Sequence, residues 1–110
     1  MSANSVTVLI PSFNRAELLV EALDSILAQT SRPDEIIVIN DGSTDDTIAH
    51  LEPYRNDIEI LNQDNAGKSA ALNKALSLAK GELIWVFDDD DIAEPDALET
   101  LLGLLEANPE

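Results

Sequence analysis

The sequence contains no cysteine, which excludes a disulfide framework and a thiolate metal site. It also contains no apolar run long enough to cross a membrane. The N-terminus, MSANS, lacks the basic and apolar pattern of a secretory signal. We therefore expect a soluble, cytoplasmic chain without a membrane span.

Positive charge is scarce as well. The 110 residues include 6 basic and 22 acidic side chains, and the formal net charge is −16. Charge of this sign repels nucleic acid and anionic membrane surfaces, so neither is expected as a partner. A small anionic ligand would need a metal ion, a helix N-terminus or one of the few cations in order to bind.

Signals for strands and helices alternate along the chain, and hydrophobic residues, 45% of the total, suffice for one modest core. Continuous aliphatic segments predict strands at residues 6–10, 35–39, 58–61 and 83–87. Apolar residues at helical spacing predict helices at residues 15–29, from 43 or 44 toward 51, at 69–79 and after Pro95. We expect a single domain over residues 1–110.

Polar residues and glycine predict the helix ends. Asn14 and Glu17 form the pattern of a capping box before the first helix, and Ser43 or Thr44 is expected to cap the second. Gly81 is expected to end the third helix. The last helix has an apolar face formed by Leu98, Leu101, Leu102 and Leu105.

Buried strands that alternate with amphipathic helices are typical of a parallel sheet with helices on both faces, so the sequence predicts an open α/β fold. We expect the strand order 3-2-1-4, in which the order reverses between the first and fourth strands. Ligands of such sheets bind outside the carboxyl ends of the strands, near that reversal. Four polar segments follow the four strands at this edge: PSFNR, NDGSTDD, NQDNAGK and DDDD.

The acidic run after the fourth strand is the strongest indication of a metal site. In extended backbone, side chains alternate between the two faces, so Asp88 and Asp90 would share one face and Asp89 and Asp91 the other. Two carboxylates that leave coordination positions open suit Mg²⁺ or Mn²⁺ bridged to a substrate phosphate. The alternative interpretation is a solvated acidic turn.

Other residues at the predicted crevice have both a structural and a functional interpretation. Asp41 could form a simple turn with Gly42, or its carboxylate could accept hydrogen bonds from a nucleotide base or ribose. Lys68 and Arg15 could be surface cations, or they could contact a diphosphate from helix starts beside the crevice. Trp85 lies in the middle of a strand and is expected in the core.

Three other motif interpretations fit the residues less well. A phosphate loop of the NTPase type matches at Gly67 and Lys68, but Asn62 replaces the glycine that gives such a loop its backbone freedom. A calcium loop starting at Asp88 would have Ala93 in place of its glycine. A phosphoacceptor receiver domain would need paired acids after the first strand, where this chain has PSFNR.

Taken together, the motifs resemble those of family 2 glycosyltransferases, nucleotide-sugar-dependent enzymes with the GT-A fold. The resemblance rests on four segments in order over nearly the whole chain: VTVLIPSFNR, EIIVINDGSTDDT, NAGKSAALNKAL and AKGELIWVFDDDDIAEPDALE. It implies that this chain is the Rossmann-like, nucleotide-binding N-terminal half of such an enzyme. Two positions differ from the usual family pattern: Asn40 replaces a frequent aspartate, and Asp89 replaces a small residue.

The resemblance also implies roles for individual residues. Asp41 would contact the base of a nucleoside diphosphate sugar, commonly UDP, and Asp91 would be the acid that usually follows the metal ligands. The implied metal ligands are Asp88 and Asp90, which correspond to the D-x-D motif. The implied nucleotide-binding residues are Pro11, Ser12, Phe13, Asn14, Asp41, Lys68 and Asp88.

The family's inverting mechanism implies a metal-assisted departure of the nucleoside diphosphate and a carboxylate base that activates an acceptor hydroxyl. The acceptor would be a saccharide or a lipid-linked molecule. The family's fold continues into an acceptor-binding half that carries the base, so we expect this chain to hold the donor-binding part alone. A non-catalytic nucleotide-binding module is the alternative.

The predicted fourth strand bears on the assembly of the isolated chain. In the order 3-2-1-4 it is an edge strand, and its segment LIWVF contains neither charge nor proline to discourage pairing. We therefore expect the 110-residue chain to form homo-oligomers through this edge or through the leucine face of the last helix, and to transfer no sugar.

Overall fold

The computed structural model describes residues 5–107, so most of the MSANS segment lies outside the described residues. The described strands are β1 (Val6–Ser12), β2 (Glu35–Asp41), β3 (Glu59–Gln63) and β4 (Leu83–Val86). The α-helices are α1 (Ala16–Leu27), α2 (Thr47–Leu51), α3 (Lys68–Leu76) and α4 (Ala97–Ala107), and a 3₁₀ turn (Glu52–Tyr54) follows α2. None of these helices is long and apolar enough to cross a membrane.

The four strands form one parallel sheet in the order β3-β2-β1-β4, as the sequence predicted. Val8 of β1 pairs with Trp85 of β4 on one side, and Ile10 of β1 pairs with Val38 of β2 on the other. The strand order therefore reverses between β1 and β4, and the carboxyl ends of these two strands adjoin.

Helices cover both faces of the sheet, and each face has its own apolar core. Side chains alternate along β1, so Val8 and Ile10 face α1 while Leu9 faces α3. Ala71 and Ala75 are the fully buried residues of α3, and their small side chains let this helix lie close to the strands. The larger core also includes Leu19, Leu23 and Ile26 of α1, Leu51 of α2 and Leu98 of α4.

The predicted caps of the first two helices are wrong. α1 begins at Ala16 without a side-chain cap, because Asn14 adopts a left-handed conformation (φ 52°) and its side chain binds the loop after β2. α2 begins at Thr47, later than predicted, because Thr44 takes part in that same contact with Asn14. The amide of Thr47 instead donates to the carboxylate of Asp45 at 3.1 Å.

The role predicted for Gly81 is also wrong. α3 ends at Leu76, and Gly81 lies where the chain passes β1 before entering β4. A Cβ atom at this position would lie 2.6 Å from the backbone nitrogen of Thr7. Gly81 is therefore required for the close approach of two backbone segments. The helix is capped instead by Ser77, whose backbone amide donates to the carbonyl oxygen of Asn73.

The strand ends differ from the prediction in a way that matters for function. β1 and β2 each extend two residues further, and this places Ser12 and Asp41 at the carboxyl edge of the sheet. β4 ends one residue earlier, at Val86, so the acidic run leaves the sheet at once. Trp85 packs against the larger core as predicted, with its ring edge-on to Phe87 at 5.4 Å between centroids.

In the described structure, β4 is an edge strand, and its side chains on the α3 face of the sheet are exposed. Ile84 and Val86 are 38% and 45% exposed, since α3 packs in one cluster with β1, β2 and β3 and leaves these two side chains of β4 open. The predicted leucine face of α4 is divided: Leu98 is buried, while Leu101 and Leu105 are each 45% exposed.

We predict that Gly81→Ala destabilises the fold by about 1–3 kcal/mol, because the added methyl group would overlap the backbone of β1. Chemical denaturation measures the change. Gly103→Ala is the matched control: a Cβ at Gly103, within α4, meets nothing within 4 Å. It should stabilise the helix by about 0.5–1 kcal/mol, and equal effects of the two changes would contradict the close approach at Gly81.

Candidate functional site

A cavity of about 330 Å³ opens at the carboxyl edge of the sheet, beside the reversal of strand order. It lies where the segments after β1, β2 and β4 meet the start of α3. The structure thus brings together most of the residues singled out in the sequence. The cavity is lined by Pro11, Ser12, Phe13, Arg15, Asp41, Lys68, Asp88, Asp89 and Asp90.

The acidic run forms a tight turn outside the sheet. The amide of Asp91 donates to the carbonyl oxygen of Asp88 at 3.2 Å. As a result Asp88, Asp90 and Asp91 can each offer one carboxylate oxygen within 4.8 Å of the others. The prediction that Asp91 shares a face with Asp89 is wrong, because strict alternation applies only to extended backbone.

Asp89 points away from this group into the protein. It is 8% exposed, and its Oδ2 accepts a 2.8 Å hydrogen bond from the hydroxyl of Ser12. Its Oδ1 lies 3.4 Å from Nη1 of Arg15. Burial raises the pKa of the Asp89 carboxyl, while the Ser12 hydrogen bond and the Arg15 charge act in the opposite direction.

Two cations flank the acidic turn. Nζ of Lys68 lies 2.6 Å from Oδ1 of Asp88, and this hydrogen bond raises the pKa of Lys68. Arg15 bridges Asp89 and Asp90, with Nη1 3.2 Å from Oδ2 of Asp90. Both cationic side chains are half exposed, at 58% and 50%. Exposed pairs of this kind contribute little stability, so a phosphate group could replace the carboxylates as their partner.

Asp41 is buried at the end of β2 and holds the loop between β3 and α3. Its Oδ1 accepts hydrogen bonds from Nε2 of Gln63 at 2.7 Å and from the amide of Ala66 at 2.9 Å. Its Oδ2 accepts from the amide of Gly67 at 3.0 Å and from Nδ2 of Asn65 at 3.4 Å. Burial tends to raise the pKa of Asp41, but these hydrogen bonds together hold it below its ordinary value.

This arrangement disfavours the phosphate-loop interpretation. A phosphate loop uses its backbone amides to surround the phosphates, whereas the amides of Ala66 and Gly67 donate to Asp41. Gly67 has φ 96° and precedes α3, so the loop ends in a conformation that favours glycine. Gln63 and Asn65 were not predicted as partners of Asp41. A buried acid requires donors, but the sequence does not indicate which residues supply them.

Asn14, unlike its neighbours, is not part of the cavity lining. Its Oδ1 accepts hydrogen bonds from the amides of Thr44 and Asp45, at 2.7 and 3.2 Å. The backbone amide of Asn14 donates to Oγ of Ser43 at 3.0 Å. Asn14 therefore fastens the loop after β1 to the loop after β2. Phe13, beside it, is 44% exposed and forms part of the cavity wall.

Comparison with known proteins identifies the class. The family model for glycosyl transferase family 2 matches residues 7–110, so the chain belongs to this family, as its motifs predicted. Among curated relatives, glycosyltransferase GlyG of Streptococcus pneumoniae serotype 4 is 39% identical over 100 residues. That alignment covers 87% of this chain and 33% of GlyG, so the chain spans about a third of the length of this relative.

Two solved structures share the fold. A mannosyltransferase of Pyrobaculum calidifontis, PcManGT, in complex with GDP-Man and Mn²⁺ superposes with a TM-score of 0.85 at 30% identity. Staphylococcus aureus TarS 1–349 in complex with UDP-GlcNAc superposes with a TM-score of 0.88 at 28% identity. Both superpositions cover 96% of this chain, and they cover 33% and 32% of the two neighbours.

We predict that Asp41→Asn lowers the free energy of unfolding at pH 7 by about 1–3 kcal/mol, because an amide group would place a donor against the donors of the loop. The folded-state pKa of Asp41 lies below its ordinary value of 3.8. Its contribution is therefore complete above pH 3.8 and is lost as the pH falls through the lower folded-state value. Urea unfolding at several pH values should show the two proteins converging in acid.

Asp64→Asn is the control for this experiment. It removes the same charge from an exposed position in the same loop, and should change stability by less than about 0.5 kcal/mol. If both variants lose equal stability, or if the Asp41→Asn difference persists unchanged in acid, the structural role of Asp41 is refuted.

Proposed function

We propose that this chain is the donor-binding region of a family 2 glycosyltransferase, with residues 1–110 as one nucleotide-sugar-binding domain. The donor would be a nucleoside diphosphate sugar, and transfer to an acceptor hydroxyl would invert the anomeric centre. The observation that carries the proposal is the convergence of Asp88, Asp90 and Asp91 within 4.8 Å, beside Lys68 and Arg15 in one cavity.

The residues fit a divalent cation. Mg²⁺ and Mn²⁺ prefer oxygen ligands and bind through one or two carboxylates together with substrate phosphates, and three carboxylates are within reach here. The D-x-D motif assigns Asp88 and Asp90 as the metal ligands. The carboxylate of Asp91 has an oxygen equally close and could serve as a third ligand. When bound, the ion would neutralise the charge that develops on the diphosphate leaving group. PcManGT was solved with Mn²⁺, which favours that ion without excluding Mg²⁺.

The cavity offers separate groups to each part of the donor. Pro11, Ser12 and Phe13 form a wall against which a nucleoside could pack, and Lys68 and Arg15 could donate hydrogen bonds to the diphosphate. To do so, Lys68 would exchange Asp88 for a phosphate oxygen, and Arg15 would exchange Asp90 while keeping Asp89. Asn14 would act indirectly, by fastening the loop that carries this wall.

Asp41 can contact a base only by giving up part of its present network. Its weakest hydrogen bond, from Nδ2 of Asn65 to Oδ2 at 3.4 Å, is the one that a base N–H could replace. We propose UDP as the nucleotide, in keeping with the family motif and with TarS, which was solved with UDP-GlcNAc. PcManGT, solved with GDP-Man, makes the guanine nucleotide the necessary comparison.

The acceptor side of the reaction is proposed to lie outside this chain. The residues that line the cavity are those proposed above to bind the donor, and the chain covers about a third of GlyG. A saccharide or lipid-linked acceptor and the carboxylate base would then be bound and supplied by the rest of the protein. The alternative, a non-catalytic nucleotide-binding module, is supported by one observation, that the chain covers about a third of GlyG.

We predict that UDP binding depends on the divalent ion. Calorimetric titration of UDP in Mn²⁺ should give measurable affinity that is lost in EDTA, because the acidic turn repels phosphate unless an ion neutralises it. Asp90→Asn should weaken the metal-dependent binding by more than about 1 kcal/mol, since a charged ligand is replaced by a neutral one.

Asp57→Asn is the control, since this exposed acid lies in the turn before β3, away from the cavity, and carries the same charge. Binding of equal strength in EDTA would refute the metal role. Tighter binding of GDP than of UDP would refute the proposed base, and hydrolysis of ATP would favour the NTPase interpretation.

We also propose that the isolated 110-residue chain self-associates through the edge of β4 and transfers no sugar. Light scattering should show a dimer or larger species, and Val86→Lys should shift it toward the monomer, because charge opposes edge pairing. Ile48→Lys on α2 is the control, as Ile48 is 37% exposed but lies far from this edge. A monomer at high concentration, or metal-dependent transfer by this chain, would contradict the respective claim.

A further inference from the structure

Asp89 is the one aspartate of the acidic run that is buried, and the proposed metal site does not use it. It is 8% exposed, whereas Asp90 and Asp91, which follow it in the turn, are exposed. Burial of a carboxylate carries a large desolvation cost unless donors surround the group. A buried acid next to one half-exposed and two exposed acids therefore requires an explanation of its own.

The partners of Asp89 lie at the carboxyl end of β1, the strand next to β4. The backbone ladder between β1 and β4 ends with Leu9 and Val86, followed by the hydrogen bond from the amide of Phe87 to the carbonyl of Leu9 at 2.9 Å. Beyond this point, Asp89 contacts the β1 end through the Ser12 hydroxyl at 2.8 Å and the Arg15 guanidinium at 3.4 Å, and Asp90 contacts the same guanidinium at 3.2 Å. The hydrogen bond from Ser12 to Asp89 is the one among these that joins two buried residues.

The acidic turn also needs an attachment for electrostatic reasons. Three carboxylates with oxygens within 4.8 Å of one another repel, so a freely mobile turn would separate them. Ser12 is itself 4% exposed and belongs to β1, so its hydroxyl is held by the sheet. A hydrogen bond between two buried groups fixes position much better than an exposed ion pair does.

We infer that Asp89 is a positioning residue for the metal site. It fastens the acidic turn to the end of β1 through Ser12, so that Asp88, Asp90 and Asp91 present oxygens to one point. It also keeps the guanidinium of Arg15 at the cavity when an ion engages Asp90. This inference rests on the proposed function, since the ligand concerned is the divalent ion of that site.

Two variants with identical charge separate positioning from electrostatics. Asp89→Asn retains an oxygen that accepts the Ser12 hydrogen bond, whereas Asp89→Ala removes it, and both remove the same negative charge. We expect Asp89→Ala to lower the Mn²⁺ affinity of the 110-residue chain by about 10-fold, a loss at the lower end of that seen when a residue that orients metal ligands is removed. Asp89→Asn should lower it by less than about 3-fold. Calorimetry or the Mn²⁺ electron paramagnetic resonance signal measures the affinity.

Ser12→Ala tests the same hydrogen bond without changing any charge, and should also weaken Mn²⁺ binding. Urea unfolding of each variant establishes that the proteins compared are folded. Equal loss of affinity in Asp89→Ala and Asp89→Asn, or unchanged affinity in both Asp89→Ala and Ser12→Ala, would overturn the inference while leaving the metal site itself intact.

A second measurement needs no metal. The amide of Asp91 closes the acidic turn onto Asp88, so its hydrogen exchange reports whether the turn stays formed. Exchange should be faster in Asp89→Ala and Ser12→Ala than in the parent chain, with Asp89→Asn close to the parent. If the parent chain bound no Mn²⁺, the proposed function would fail, and this pattern would still decide whether Asp89 positions the turn. Unchanged exchange in Asp89→Ala would overturn the inference.

Discussion

The concentration of negative charge at the carboxyl end of β4 is the constraint on which the rest of the site depends. Four consecutive aspartates follow an apolar strand, in a chain of net charge −16. Three features of the structure offset this charge. Lys68 pairs with Asp88, Arg15 bridges Asp89 and Asp90, and Asp89 is buried against the hydroxyl of Ser12. None of them neutralises the three converging carboxylates fully, and a divalent cation between these carboxylates would offset most of the remaining repulsion.

The sheet makes this solution possible. Because the strand order reverses between β1 and β4, Ser12 and Asp89 meet although they are 77 residues apart in the sequence. The same edge brings Asp41 beside the loop that leads into α3, where Lys68 begins the helix. Cations and carboxylates that are distant in sequence therefore share one cavity, as is usual at the switch point of an open α/β sheet.

Periodicity was enough to predict the class of fold. Aliphatic strands and amphipathic helices determine which faces are buried, and right-handed connections give a parallel sheet with helices on both faces. The strand order 3-2-1-4 was a further expectation, and the structure has it. The segments at the carboxyl edge, and the core position of Trp85, followed from the same reasoning. Hydrophobic periodicity and burial are properties of many residues at once. A single residue that departs from the pattern therefore does not change the predicted element.

Individual loop contacts could not be predicted in this way. Asn14 has the sequence position of a helix cap, but a longer-range contact with the loop after β2 competes successfully for its side chain. Asp91 joins Asp88 and Asp90 because a tight turn replaces extended backbone after Val86. The donors to Asp41 and the packing of Gly81 against Thr7 depend on segments that are remote in sequence.

The central claim is that one divalent cation binds at the acidic turn, and paramagnetic broadening of amide signals by Mn²⁺ tests it most directly. Substoichiometric Mn²⁺ added to the isotopically labelled chain should broaden the signals of Asp88, Asp90 and Asp91 first, followed by those of Ser12 and Lys68. Signals at the opposite edge of the sheet, such as those of Glu59 and Lys80, should stay sharp. Broadening that is spread evenly over the acidic surface, or strongest at that opposite edge, would contradict the claim.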